Sequence, residues 1–117
     1  MRTINADEIA VLTAATDRAA VVPISADMRA SIPSLVVVGR CSCGCASVDF
    51  ERDEGVKVAP IASGIGETPR GGQVGVIVWG TESRITGLEI YDLGAEADDL
   101  VLPVPASVAP WPAPNKQ

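Results

Sequence analysis

The apolar residues of this chain change their spacing once, near Ser34, and that change sets what the chain can fold into. Before it, "NADEIAVLTAATDRA" places Ile9, Leu12, Ala15, Thr16 and Ala19 at the 3.6-residue repeat of a helix. Asn5, with Glu8 three residues on, makes a capping box in which an amide stands for the usual hydroxyl. A helix over about Ala6–Ala19 is expected, with Asp7, Glu8, Asp17 and Arg18 toward solvent. Past Pro23, Ser25 can cap a short helical turn that stops at Ile32, because Pro33 disfavours helical backbone at the residue before it.

From Ser34 onward apolar and polar residues alternate between turn residues, and no second helical stretch separates the runs. That pattern favours an antiparallel meander over βαβ units. Five strands are expected: Leu35–Cys43, Ser47–Arg52, Val56–Ile61, Gln73–Trp79 and Arg84–Tyr91. "ASGIGETPRGG" reads as the connection from the third to the fourth, and "WGTESR" as a close hairpin. Val74, Val76 and Val78 share one face of the fourth strand while Gly75, Ile77 and Trp79 share the other, so both of its faces are apolar. Ile85 is out of parity with Leu88 and Ile90, which a bulge at Thr86-Gly87 would absorb. The expected class is α+β, an N-terminal helix packed on a mainly antiparallel five-stranded meander. One domain over residues 1–105 is followed by a Pro-rich extended tail over 106–117.

Composition narrows the function. Aromatics are 3% of 117 residues, so the core must come from Val, Ile, Leu and Ala, with Phe50, Trp79, Tyr91 and Trp111 as the large anchors. Nine basic residues against 15 acidic ones give a net charge of −6, which opposes nucleic acid as a partner because phosphate neutralisation supplies most non-specific affinity. The chain has no histidine, which removes the commonest general base and nitrogen ligand from any catalytic scheme. No apolar run reaches the length of a membrane span, and "MRTINADEIA" lacks the apolar stretch of a signal peptide. A soluble, cytoplasmic protein with no membrane partner is expected.

All three cysteines fall within "GRCSCGCA". Alternation puts Cys41 and Cys43 on one face in line with Leu35, Val37 and Gly39, whereas Ala46, Val48 and Phe50 carry the opposite parity. A two-residue type II′ turn with Gly44-Cys45 at its tip reconciles them. Cys43 then faces Ala46, Cys41 faces Val48, Gly39 faces Phe50, and Cys45 is exposed. Three readings follow. Cys41 and Cys43 act as small buried hydrophobes, which is favoured; or Cys41, Cys43 and Cys45 hold zinc or another soft metal ion, with Asp49, Glu51 or Asp53 as fourth ligand; or Cys45 is a redox thiol. C-x-C on a flat strand lacks the bend that lets two sulfurs converge on one ion, so no cofactor is the preferred expectation.

"GIGETPRGG" has the glycines of a phosphate loop but neither the following helix nor the lysine, leaving Arg70 as a ligand contact at most. Trp79, Glu89, Tyr91 and Asp92 form the better candidate surface, since aromatics with carboxylates can grip a cationic segment of a partner. Apolar residues on both sheet faces exceed what one helix covers, which points to a homodimer.

Together "GRCSCGCASVDFE", "GQVGVIVWG" and "ITGLEIYDLG" resemble a set of small bacterial proteins, frequent in actinobacteria, that pair a Cys-x-Cys-Gly-Cys hairpin with a Leu-Glu-x-Tyr strand. The likeness covers about residues 5–105, with Ala46 where those proteins often carry proline. It implies a helix-plus-meander domain and attaches no activity. The reading reached from sequence is a non-enzymatic interaction module, with a metal-binding or thiol-redox protein using Cys41, Cys43 and Cys45 as the alternative.

Overall fold

The computed structural model describes residues 1–40, 45–51, 58–93 and 100–111. The chain runs β1 (Arg2–Thr3), α1 (Ala6–Arg18), α2 (Ala26–Ser31), a 3-10 turn (Ile32–Ser34), β2 (Val36–Val37), β3 (Gly39–Arg40) and β4 (Val48–Asp49). It continues through β5 (Ala59–Glu67), β6 (Gln73–Gly80), β7 (Ile85–Asp92), a second 3-10 turn (Pro105–Ser107) and β8 (Ala109–Pro110). The class is α+β: the N-terminal helix lies on an antiparallel sheet of six strands. Among the described residues no helix is long and apolar enough to cross a membrane.

The α1 capping box forms as its residues dictate. Asn5 Oδ1 accepts from the Glu8 N–H at 2.8 Å, and Glu8 Oε1 accepts from the Asn5 N–H at 3.0 Å. Leu12, Ala15, Thr16 and Ala19 are buried as their spacing predicts, and Val11 and Ala14 join them. Glu8, expected on the solvent side, is instead 3% exposed. It is drawn in by Arg2, whose guanidinium donates to both carboxylate oxygens at 2.9 and 2.7 Å. Burial pushes the Glu8 carboxyl pKa up. The Arg2 hydrogen bonds, the Asn5 N–H and the charges of Arg2 and Arg40 outweigh it and hold the pKa below the ordinary value of 4.5. The short helix after Pro23 also forms, with Ser25 Oγ accepting from the Met28 N–H at 3.1 Å.

The sheet is not the five-stranded meander expected. Its order is β3-β4-β7-β6-β5-β8, so β4 pairs with β7 (Val48 opposite Leu88) and β5 lies three places away. Alternation within a run fixes its faces but not its neighbour, and β4 has both edges occupied, by β3 and by β7. The first strand is divided: Val36–Val37 pairs with β1 while Gly39–Arg40 pairs with β4. Gly39 stands opposite Asp49 and Arg40 opposite Val48, one position away from the register that a Gly44-Cys45 turn requires. Gly44, the expected tip of that turn, lies outside the described residues. Cys41 and Cys43 lie outside the described residues.

Most of "ASGIGETPRGG" is strand rather than connection, since β5 runs to Glu67 and pairs with β6 along its length. The glycines mislead because they serve close approach, not a turn. A Cβ on Gly64 would strike the Ala109 carbonyl, and one on Gly66 would lie 2.7 Å from Pro103. The turn itself is Thr68–Gly72, closed by the Thr68 N–H donating to the Gly72 carbonyl at 2.8 Å, with Gly71 at a positive φ of 91° that favours glycine.

The Pro-rich segment is described as far as Trp111; after the 3-10 turn at Pro105–Ser107 it adds a sixth strand, and the expected tail over 112–117 lies outside the described residues. Ala109–Pro110 pairs with Ile65 and Gly64. Val104 donates to the Glu67 carbonyl at 2.7 Å, and Ser107 Oγ accepts from the Glu67 N–H at 2.8 Å. Ala19 and Val21 bond Ser63 and Ile61 further along the same edge. The free side of β5 is thereby closed to pairing with other chains. The expected bulge is present: Gly80 faces Ile85 and Trp79 faces Gly87, leaving Thr86 as the extra residue.

Glu8→Gln is expected to lower stability in urea denaturation by about 1–3 kcal/mol, the range for losing a buried charge-assisted hydrogen bond. Because the folded pKa is depressed, the Glu8 contribution is present above 4.5 and is lost as pH falls through the folded value. The variant should therefore lose part of the acid-side slope of stability against pH.

Candidate functional site

Register decides which side chains meet on the sheet face away from α1. Val74, Val76, Val78, Leu88 and Ile90 turn toward the helix and are at most 2% exposed. The opposite parity builds an outer face in which Ile77 lies across from Glu89 and Gly75 across from Tyr91. Ile65, Ile77, Trp79, Glu89 and Tyr91 are all half-buried there. The Tyr91 ring occupies the space where a Gly75 side chain would stand, so glycine at 75 is what lets the tyrosine lie flat on the sheet. Burial holds the Tyr91 hydroxyl above its ordinary pKa of 10.0; the nearby Trp111 indole works against this and the Glu89 charge adds to it. Trp111 itself reaches the outer face, donating its indole N–H to Ser63 Oγ at 3.0 Å.

The key polar contact is between Trp79 and Glu89: the indole N–H donates to Glu89 Oε1 at 2.9 Å. Beside it a cavity of about 430 Å³ opens where β4 and β7 part. The ladder between those strands includes the Phe50 N–H on the Thr86 carbonyl and the Val48–Leu88 pair, and one step further it would join Ala46 to Ile90. Instead the Ala46 N–H turns away to the Leu100 carbonyl at 3.0 Å. The Ser47 hydroxyl takes its place, accepting from the Ile90 N–H at 2.8 Å and donating to the Ile90 carbonyl at 3.3 Å. One side chain thus satisfies the backbone groups that a continued strand would have paired.

Cys45, Ser47 and Asp49 line the cavity from β4 and its approach, Trp79 from β6, and Leu88 to Asp92 from β7, with Arg40 and Leu100 beside them. Four of the five residues singled out from sequence as a binding surface, Trp79, Glu89, Tyr91 and Asp92, therefore come together. Arg70 does not join them. It is exposed in the Thr68–Gly72 turn, a position that shifted once β5 proved longer than its glycines suggested. Cys45 is not an exposed turn tip either: it is half-buried, its thiol 3.3 Å from Ser47 Oγ. Among the described residues no three Cys, Asp or Glu side chains gather as a metal ion would require.

Ser47 and Leu100 went unseen in the sequence. Asp49 enters there only as a candidate fourth metal ligand, although its alternation with Val48 already puts it on a polar face. What was missing is the neighbour, β7, that makes this face one wall of a cavity. A second, more open groove between α1 and Pro105–Ala106 is lined by small side chains with Asp17 and Arg18 and brings no reactive group together.

Ser47→Ala should cost about 1–3 kcal/mol in thermal unfolding, because it strips both Ile90 backbone groups of their partner, while Ser47→Thr should retain most of the stability. Equal stability of the alanine variant and the native chain would contradict the bridging role. Comparison of the chain with protein-family models, with curated proteins and with solved structures gives no match.

Proposed function

We propose that this is a non-enzymatic binding module that takes a positively charged segment of a protein partner on the outer face of its sheet. The observation that carries the reading is the cavity between β4 and β7, where Trp79 and Tyr91 stand beside Asp49, Glu89 and Asp92, with Arg40 as the one cation of the lining among the described residues. Aromatic faces with carboxylates attract a cation by ring quadrupole and by charge, and a partly desolvated cavity strengthens both. The net charge of −6 adds a field that steers such a partner inward. No histidine stands in the chain to pair with a nucleophile, and the Ser47 hydroxyl in the cavity is committed to the Ile90 backbone. Both points favour binding over catalysis. The setting that goes with this reading is the bacterial cytoplasm.

The test is a titration of isotope-labelled protein followed by amide and indole NMR signals. A lysine-bearing, proline-containing decapeptide should shift Trp79 Nε1–H and the Glu89 and Tyr91 amides, and the shifts should fade at 1 M salt, where the screening length falls to about 3 Å. The same peptide with glutamate for lysine should leave them in place. Shifts confined to other parts of the chain, or none, would overturn the reading.

A homodimer belongs to the same proposal, since half-buried apolar residues remain on the outer face and Val21, Val22 and Val36 are exposed elsewhere. Light scattering should give twice the 12.1 kDa chain mass; a monomer at high concentration removes it.

A further inference from the structure

Tyr91 reaches farther than its own strand. It stands opposite Gly75 on β6, which in turn stands opposite Ile65 on β5. A Cβ built on Gly75 would strike Cζ, Cε1 and Cε2, the far end of the phenol ring. The ring therefore lies down across β6 and carries its hydroxyl toward β5. There it meets the Trp111 indole, whose N–H donates to Ser63 Oγ at 3.0 Å and stands close enough to the hydroxyl to favour its ionised form. Burial of the ring outweighs that influence, the Glu89 charge adds to the burial, and the hydroxyl pKa stays above the ordinary 10.0.

Two residues outside the cavity thus decide where this ring lies. Tyr91 belongs to the lining, whereas Gly75 and Trp111 do not. Gly75 provides bare backbone for an aromatic side chain laid over its cross-strand partner. Trp111 stands beyond the hydroxyl, so the ring is bracketed between the glycine beneath it and the indole at its end. The ring rests on the β6 side of β7, and the cavity opens on the β4 side. Any side chain at position 75 lifts it from that place, into solvent or toward the cavity. A site binds better when its side chains already stand where the ligand needs them, because fixing one of them on association costs about two- to tenfold in affinity.

Resting on the reading of the outer face as a cation-binding surface, we infer that Gly75 and Trp111 are positioning residues of that site: neither lines the cavity, yet both set its affinity for the partner segment by holding the Tyr91 ring flat across β6. Gly75 acts by lacking a side chain, and Trp111 by stopping the far end of the ring. One phenol thereby ties the cavity wall to the end of the Pro-rich edge strand.

Tyr91 is the only tyrosine of the chain, so the absorbance of the phenolate in a pH titration follows this ring alone. The full chain and its Gly75→Ala, Trp111→Phe and Tyr91→Ala variants are titrated in this way and, by NMR, with the decapeptide above; their amide spectra report that the fold is kept. In Gly75→Ala the ring leaves the sheet, so its hydroxyl pKa should fall back toward 10.0, and the peptide should bind about two- to tenfold more weakly. Trp111→Phe should weaken binding within the same range, and because Trp111 is 43% exposed this variant carries the test if Gly75→Ala does not fold. Its pKa tells two roles apart: losing the indole donor alone raises the value, whereas releasing the ring lowers it. Tyr91→Ala should weaken binding at least as much, and adding Gly75→Ala to it should cost nothing further. Unchanged affinity in a folded Gly75→Ala, or a further loss in the double variant, overturns the part assigned to Gly75. A raised pKa with unchanged affinity in Trp111→Phe overturns the part assigned to the indole. Failure of the native chain to bind the peptide overturns the reading and the inference together.

Discussion

One helix has to cover one face of a six-stranded sheet, and most of the structure follows from how it does so. The 13 residues of α1 span about 20 Å at 1.5 Å per residue, enough for the central strands and no more. Val74, Val76 and Val78 of β6 are wholly buried beneath it. Large side chains are scarce, so the helix must come close. Ala14, Ala15 and Ala19 on the helix side and Ala62 and Gly64 on the β5 side are the small residues that permit it. Packing this tight leaves little room for error in register, since a one-residue slip would exchange the valine row for the outer row of Ile77 and Trp79.

The entry to that helix is fixed by charge. Arg2 and Asn5 hold the two oxygens of Glu8, tying β1 to the first turn of α1 and orienting both over the sheet. A buried carboxylate is tolerated because a guanidinium and a backbone N–H replace the water it loses. At the other border of the fold the Pro-rich segment performs an edge function, with proline where no N–H is needed and Ser107 and Val104 supplying the bonds that Glu67 requires.

The outer face is the consequence. No element of the described chain covers it, and its own side chains partly cover one another: Tyr91 over Gly75, Trp79 against Glu89, Trp111 against Ser63. The cavity arises where the β4–β7 ladder could have continued and does not. There the Ser47 hydroxyl ends the pairing of β4 with β7 without leaving polar groups unsatisfied, and the opening it creates is walled by aromatic rings and carboxylates. Stability and recognition are thus linked through a single serine, whose small side chain is long enough to reach the Ile90 backbone and too short to fill the space it opens.

The local residues determined the helix with its capping box, the Ser25 turn, the two-faced strand at Gln73–Gly80, the Thr86 bulge and the grouping of Trp79, Glu89 and Tyr91 on one face. Each rests on contacts within a few positions along the chain, where periodicity and capping chemistry act directly. Only the tertiary structure decided that β4 pairs with β7, that Gly64 and Gly66 lie in a strand, that Glu8 is buried with Arg2, and that Asp49 and Ser47 face Glu89 across a cavity. Those depend on which distant segment lies alongside. Alternation is the same whatever the neighbour, so pairing between remote strands leaves no mark within either one.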